Sequence, residues 1–136
     1  MQRMFSGGCA CGAVRYEAGA SVLMMNCHCR DCQRASGSGY APFVVVPKTS
    51  FEFSGELQFY ESAGGTGKKV RRGFCPACGS PIVIEVEIVP DIVALLAGSL
   101  DAPASHVPTM DIFTASAQPG DHMSRDTKKM AGGISG

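Results

Sequence analysis

The chain has 136 residues, with 12 basic and 12 acidic side chains and a formal net charge of zero. That balance offers no basic face to nucleic acid, no apolar run reaches the roughly 18 residues that span a membrane, and Met1-Gln2-Arg3-Met4-Phe5 lacks the apolar stretch of a secretory signal. The length suits one domain, a cytoplasmic location is expected, and 17 glycines point to an all-β or loop-rich build.

Gly7-Gly8-Cys9-Ala10-Cys11-Gly12 comes first, a C-x-C pair wrapped in glycines. Glycine permits the backbone angles and close approach that a chain turning around a metal needs. Residues 13–18 alternate apolar and polar, a strand pattern, and Gly19-Ala20-Ser21 reads as a turn. Residues 22–26 form a short apolar strand that runs into Cys27-His28-Cys29-Arg30-Asp31-Cys32. Residues 33–39 hold one helical turn and then a glycine-rich loop. Residues 40–46 read as a buried strand stopped by Pro47. Strands follow at 51–53 and 57–61, then a turn at Gly64-Gly65-Thr66-Gly67. A basic strand at 68–74 leads into Cys75-Pro76-Ala77-Cys78-Gly79. Residues 81–88 and 91–96 are strands, Gly98-Ser99-Leu100-Asp101 is a turn, and a last strand is expected at 109–115. About nine short strands with frequent turns predict an all-β open sandwich or barrel. Residues 1–117 are expected to form the domain; residues 118–136, polar and rich in glycine, are expected to be a flexible tail.

The seven cysteines are an odd number, so disulfides would leave one thiol over. Clustered spacing in a reducing compartment favours metal binding instead. Thiolate sulfur is a soft ligand that selects zinc or an iron–sulfur cluster over harder ions, and here the spacing favours zinc. Cys75-x-x-Cys78 is a knuckle that needs two more ligands, and Cys9 and Cys11 are its natural partners, giving a closed structural site. Cys27, Cys29 and Cys32 are then left one ligand short of a tetrahedron. A histidine would close that site, with His106 the favoured candidate over His28, which lies between two ligands and should point away, and His122, which lies in the tail. Left open, the site would be catalytic. Three thiolates make zinc a weaker Lewis acid than three neutral histidines do, better suited to holding a thiol deprotonated than to activating water. The chemistry alone therefore favours a thiol substrate.

The sequence resembles the glutathione-dependent formaldehyde-activating enzyme (GFA) family, also called the centromere-protein-V-like (CENP-V) domain. The matching residues begin with Gly8-Cys9-Ala10-Cys11-Gly12-Ala13-Val14-Arg15-Tyr16 and Cys27-His28-Cys29-Arg30-Asp31-Cys32-Gln33-Arg34-Ala35-Ser36-Gly37-Ser38. They continue with Phe74-Cys75-Pro76-Ala77-Cys78-Gly79-Ser80 and Gly98-Ser99-Leu100-Asp101. The resemblance implies an Mss4-like all-β fold of short antiparallel strands with zinc-stabilised turns and two zinc ions. It implies a structural ion at Cys9, Cys11, Cys75 and Cys78 and a catalytic one at Cys27, Cys29 and Cys32. The implied activity is that of a carbon–sulfur lyase, adding glutathione to formaldehyde to give S-hydroxymethylglutathione. The sequence departs from the family at Met110-Asp111-Ile112-Phe113, where members often carry histidine in the place of Asp111, and it has no tryptophan after the last strand.

Arg30 and Arg34 flank the central cysteines and are candidates to grip the carboxylates of a thiol such as glutathione. Arg71 and Arg72 lie on one strand, so at most one of them faces a common site. Ser36-Gly37-Ser38-Gly39 reads as a turn more readily than as an anion cradle, and Asp31 as an exposed or capping residue more readily than as a base. The expected partner is a small-molecule thiol, acting on a monomer or homodimer away from nucleic acid and membranes. The alternative is a non-catalytic zinc module that recruits a protein, with the central site closed through His106. A methionine sulfoxide reductase needs a free nucleophilic cysteine and ranks lower, because all seven cysteines are assigned to metal.

Overall fold

The protein is described here as a computed structural model covering residues 4–134. Residues 1–3 of the N-terminal segment and residues 135–136 of the expected tail lie outside the described residues. Two sheets face each other. The smaller has the order β1-β2-β5, from β1 (Phe5–Gly8), β2 (Arg15–Ala18) and β5 (Glu52–Ser54). The larger takes in β3 (Leu23–Cys27), β4 (Ala41–Pro47), β6 (Gln58–Ala63), β7 (Lys69–Phe74), β8 (Pro81–Val86), β9 (Ile92–Leu96), β10 (Met110–Ile112) and β11 (Lys128–Lys129). Its order is β11-β10-β3-β4-β9-β8-β7-β6, with one helix, α1 (Arg30–Ser36), leaving the end of β3. The expected open sandwich forms, without closing into a barrel. No helix among the described residues is long and apolar enough to cross a membrane.

Side-chain alternation divides the large sheet into two differently used faces. Val44 and Val46 of β4 and Val93 and Leu95 of β9 point between the sheets, where Val14, Tyr16 and Ala18 complete the main core. Their sequence neighbours Phe43, Val45, Ala94 and Leu96 point the other way, with Ile84 and Ile112, toward Cys27 and Cys32. An apolar run such as 41–46 is apolar at every position because both of its faces are covered.

Several elements differ from the sequence reading, among them β1 and β11, for which no strand was expected. The strand expected at 109–115 stops at Ile112, because Phe113 turns into the left-handed region at φ 54° and a short 3-10 turn follows at Thr114–Ser116. β10 also runs parallel to β3, where antiparallel pairing was expected throughout. The segment from Gln118, expected from its polarity to be flexible, is laid along this edge. β11 pairs in parallel with β10, Thr127 is buried, and Met130 N–H donates to Asp111 O at 2.9 Å. Its composition hid this, because the packing side chains are Asp121 and Thr127, polar groups held by polar partners.

Candidate functional site

All seven cysteines are free thiols, and they gather into two groups. Cys9, Cys11, Cys75 and Cys78 form one, with their sulfurs all within 4.8 Å of one another. Two tight turns build it. Gly12 N–H closes on Cys9 O at 3.3 Å and Gly79 N–H on Cys75 O at 2.8 Å. Both glycines have a positive φ, 82° and 78°, which a side chain would oppose. The sulfurs of Cys9 and Cys11 stand 3.6 Å apart, and those of Cys11 and Cys75 3.8 Å. A disulfide needs about 2.05 Å, whereas two thiolates on tetrahedral zinc, with bonds of about 2.3 Å, stand about 3.8 Å apart. The donor set therefore fits a four-sulfur ion. Polar groups also ease deprotonation of two of the four thiols. Val14 N–H donates to Cys9 Sγ and draws its pKa down, and the contact of the Ser80 hydroxyl with Cys78 Sγ is the main cause that lowers Cys78 to about 5.

Cys27, Cys29 and Cys32 form the second group, again with all sulfurs within 4.8 Å of one another. Cys27 ends β3 and Cys29 caps α1, its sulfur accepting from Cys32 N–H at 3.3 Å. Cys32 follows in the first turn of that helix, so the C-x-C-x-x-C spacing is the spacing of a strand end, a cap and a first turn. The helix begins at Arg30, earlier than the turn expected at 33–39, because the Cys29 sulfur takes the capping role usually filled by Ser or Asp. Contact first with Cys27 and then with Cys32 holds the Cys29 thiol well below its ordinary range. Contact with Cys29 and Cys32 pushes Cys27 up, so one thiol gives up its proton before the next.

Among the described residues, no fourth Cys, His, Asp or Glu joins this trio. His106, the favoured candidate had the site been closed, is held elsewhere. Its Nε2 lies 3.2 Å from Asn26 Oδ1, on the side of β3 away from Cys27. His28 points away from the sulfurs, as expected, but into an arrangement the sequence did not disclose. Its Nε2 lies 2.6 Å from Asp111 Oδ1 and its Nδ1 contacts Asp121 Oδ2. All three side chains are at most 2 % exposed. Asp111 also accepts from the Thr127 hydroxyl; burial opposes its charge, but the Thr127 and His28 contacts hold its pKa below the usual carboxylate range. The segment after residue 118 is thereby fastened to the residue between two of the three cysteines.

The trio forms one end of a cavity of about 370 Å³. Met25, Phe43, Val45, Ile84, Ala94 and Ile112 give it apolar walls, and Arg30, Lys68, Lys69 and Arg72 give it cationic edges. The sequence leaves open which of Arg71 and Arg72 faces a common site, because a basic strand offers no sign of which face matters. Its register opposite Ile84 turns it to the cavity, with its guanidinium 4.0 Å from Cys32 Sγ. Arg71, one residue earlier, faces the other way onto Glu85 at 3.1 Å and over the Phe59 ring at 4.0 Å. Arg30 lines the cavity, Arg34 is exposed and outside its lining, and Asp31 lies at the edge in the first turn of α1. Ser36 to Gly39 is a turn: Ser36 Oγ donates to Tyr40 O at 3.0 Å, and Gly37 terminates the helix. Within Gly98 to Asp101, Ser99 Oγ lies 2.6 Å from the Tyr16 hydroxyl and Asp101 pairs with Arg15.

Comparison with known proteins agrees with this architecture. The model of one family, described as "Glutathione-dependent formaldehyde-activating enzyme", matches residues 4–116. The fold is similar to that of a Rhodobacter sphaeroides protein of known crystal structure, with a TM-score of 0.60 and 18% identity. That similarity covers 92% of this chain and 98% of the other.

Proposed function

The chain belongs to the glutathione-dependent formaldehyde-activating enzyme family, and from that premise we propose that it is a zinc-dependent carbon–sulfur lyase acting on a thiol adduct, with glutathione as the thiol. The observation that carries this reading is the trio Cys27, Cys29 and Cys32, set at the end of a cavity with no fourth ligating side chain beside it among the described residues. The sulfur-only donor set and its spacing suit zinc, and bound zinc would supply a thiophilic centre that keeps a thiol deprotonated at neutral pH.

The chain's own residues supply orientation. Arg72, beside Cys32, places a fixed positive charge where a sulfur anion has to be held. Arg30 stands at the cavity edge with its guanidinium on Gln33 Oε1, in reach of a carboxylate of the incoming thiol, whereas Arg34 lies outside. The apolar walls exclude water from the reacting carbonyl, which favours the adduct over its hydrate. Cys9, Cys11, Cys75 and Cys78 take a structural role, tying the first hairpin to the β7–β8 turn.

Cobalt substitution tests the reading. Titrating the cobalt-loaded protein with glutathione should change the sulfur-to-metal charge-transfer absorption within the millimolar range. A spectrum that stays fixed there would remove the thiol-substrate reading.

A further inference from the structure

The cavity is much more apolar than a one-carbon carbonyl and a peptide-like thiol require. Formaldehyde has two heavy atoms and no hydrocarbon chain, and a thiol such as glutathione is polar along most of its length, so the two together leave the apolar walls of the 370 Å³ cavity without a matching group. The walls are not general core surface that happens to be near. They come from five strands, β3, β4, β8, β9 and β10, whose alternation turns Met25, Phe43, Val45, Ile84, Ala94 and Ile112 toward the same space. β4 and β9 are apolar on both faces, although only one face is needed for the core between the sheets. The lining carries Arg30, Lys68, Lys69 and Arg72 against the single acid Asp31; of these, Arg72 stands by Cys32 and Arg30 follows Cys29, whereas Lys69 shares Arg71's side of β7 and pairs with Glu61. The site therefore offers three features in a fixed relation: a sulfur trio, a cationic edge and an apolar chamber.

We propose that this chamber takes the carbon chain of an S-conjugate, so that the adduct handled here joins an anionic thiol to an aldehyde of about five to eight carbons or a comparable aryl aldehyde. The inference rests on the thiol-adduct reading above and sharpens its substrate class. The thiol's carboxylates meet the cationic edge, its sulfur lies by the trio, and the aldehyde's hydrocarbon lies on the walls. In the forward direction the S–H bond breaks and an S–C bond forms at the carbonyl carbon. The C=O π pair moves to oxygen, which takes up the proton that sulfur gave up. Nothing is oxidised or reduced, and no third reactant is needed.

The measurement is a binding series that does not depend on turnover. S-methyl-, S-butyl- and S-hexylglutathione are titrated calorimetrically into the zinc-loaded full chain. Each methylene moved from water onto an apolar wall strengthens binding by up to about fourfold, and partial burial should still give at least tenfold between methyl and hexyl. Ala94→Phe, which fills the chamber from β9, should flatten the series; if that variant does not fold, the wild-type series decides alone. In parallel, adduct formation from glutathione is followed with formaldehyde and with hexanal. Length-dependent binding with faster turnover of hexanal supports the proposal. A flat series, or formaldehyde turned over with hexanal ignored, overturns it and leaves the thiol-adduct enzyme standing. Length-dependent binding with neither aldehyde accelerated keeps the chamber's ligand class and removes the lyase.

Discussion

The two cysteine groups use the same ligand in opposite surroundings. The four-sulfur group lies at an edge, joins the first hairpin to the β7–β8 turn, and includes two exposed thiols, Cys11 and Cys78. The three-sulfur group is set into the larger sheet's second core, with Cys27 and Cys32 buried, and forms the end of a cavity. On the proposed reading, exposure thus runs against the usual intuition that a reactive site is the open one. What separates the two is completeness: the exposed group has its fourth sulfur and lies where chain segments far apart in sequence meet, and the buried group does not. On the proposed reading, the first holds the chain together and the second leaves a ligand position beside a shaped space.

The largest expected effect tests that division directly. Cys75→Ser should remove one metal equivalent and with it cooperative folding, since structural zinc contributes roughly 10–16 kcal/mol in small finger peptides and a domain's whole stability is about 5–15 kcal/mol. Cys29→Ser should also lose one equivalent, yet keep a cooperative melt near that of the parent, because serine can still cap α1. Metal content per chain and thermal melts by circular dichroism read both. Equal destabilisation by the two substitutions would erase the distinction between clamp and site.

Next in size is the pair of arginines on β7. Arg72→Gln should weaken binding of an anionic thiol by about tenfold, the scale of one hydrogen bond to a charged group. Arg71→Gln should leave binding unchanged, having lost only its contacts with Glu61, Glu85 and Phe59 on the opposite face. Titration of both variants with glutathione checks this, and a reversed order would mean that the cavity is not where the thiol lies.

These contrasts also show what could be read in the sequence. The cysteine grouping, most strand positions, the outward turn of His28 and the opposition of Arg71 and Arg72 follow from local rules: ligand spacing, alternation and turn chemistry. Which arginine faces the cavity does not, since it depends on the register of β7 against β8, a property of two segments together. The Asp111–His28–Asp121 contacts join residues 83 and 93 positions from His28. In sequence Asp111 looked like a gap in a motif and Asp121 like part of a polar tail. No periodicity marks a polar residue that is buried because its partner is polar.

A third, smaller effect follows from that burial. Asp121→Ala leaves His28 Nδ1 without its partner in a site closed to solvent, at a cost of about 1–3 kcal/mol. Urea denaturation should show a lower midpoint with an unchanged slope, and the cobalt spectrum of the three-sulfur site should shift, because His28 lies between two of its cysteines. A shift in stability with an unmoved spectrum would make the C-terminal segment a prop for the sheet edge and nothing more.

The smallest effect belongs to the four-sulfur side, where Asp101 ties the Gly98–Asp101 turn back to β1 and β2. Arg15 and then the Ser6 hydroxyl hold its carboxyl at about 2, below the ordinary carboxylate range. A carboxylate whose folded pKa is depressed contributes stability that is fully present above its unfolded value near 3.9 and is lost as pH falls through the folded one. The pair is well exposed, so solvent screens it and the contribution is modest. Asp101→Asn should therefore melt slightly lower than the parent by a margin constant from neutral pH to about pH 5, shrinking toward pH 2. Acid also protonates the ligating thiols, but in both proteins alike, so the difference between the melts carries the Asp101 contribution. A margin that persists at pH 2 would assign the role of Asp101 to the hydrogen bond from Ser6, which an asparagine oxygen can keep only in part, rather than to its charge on Arg15.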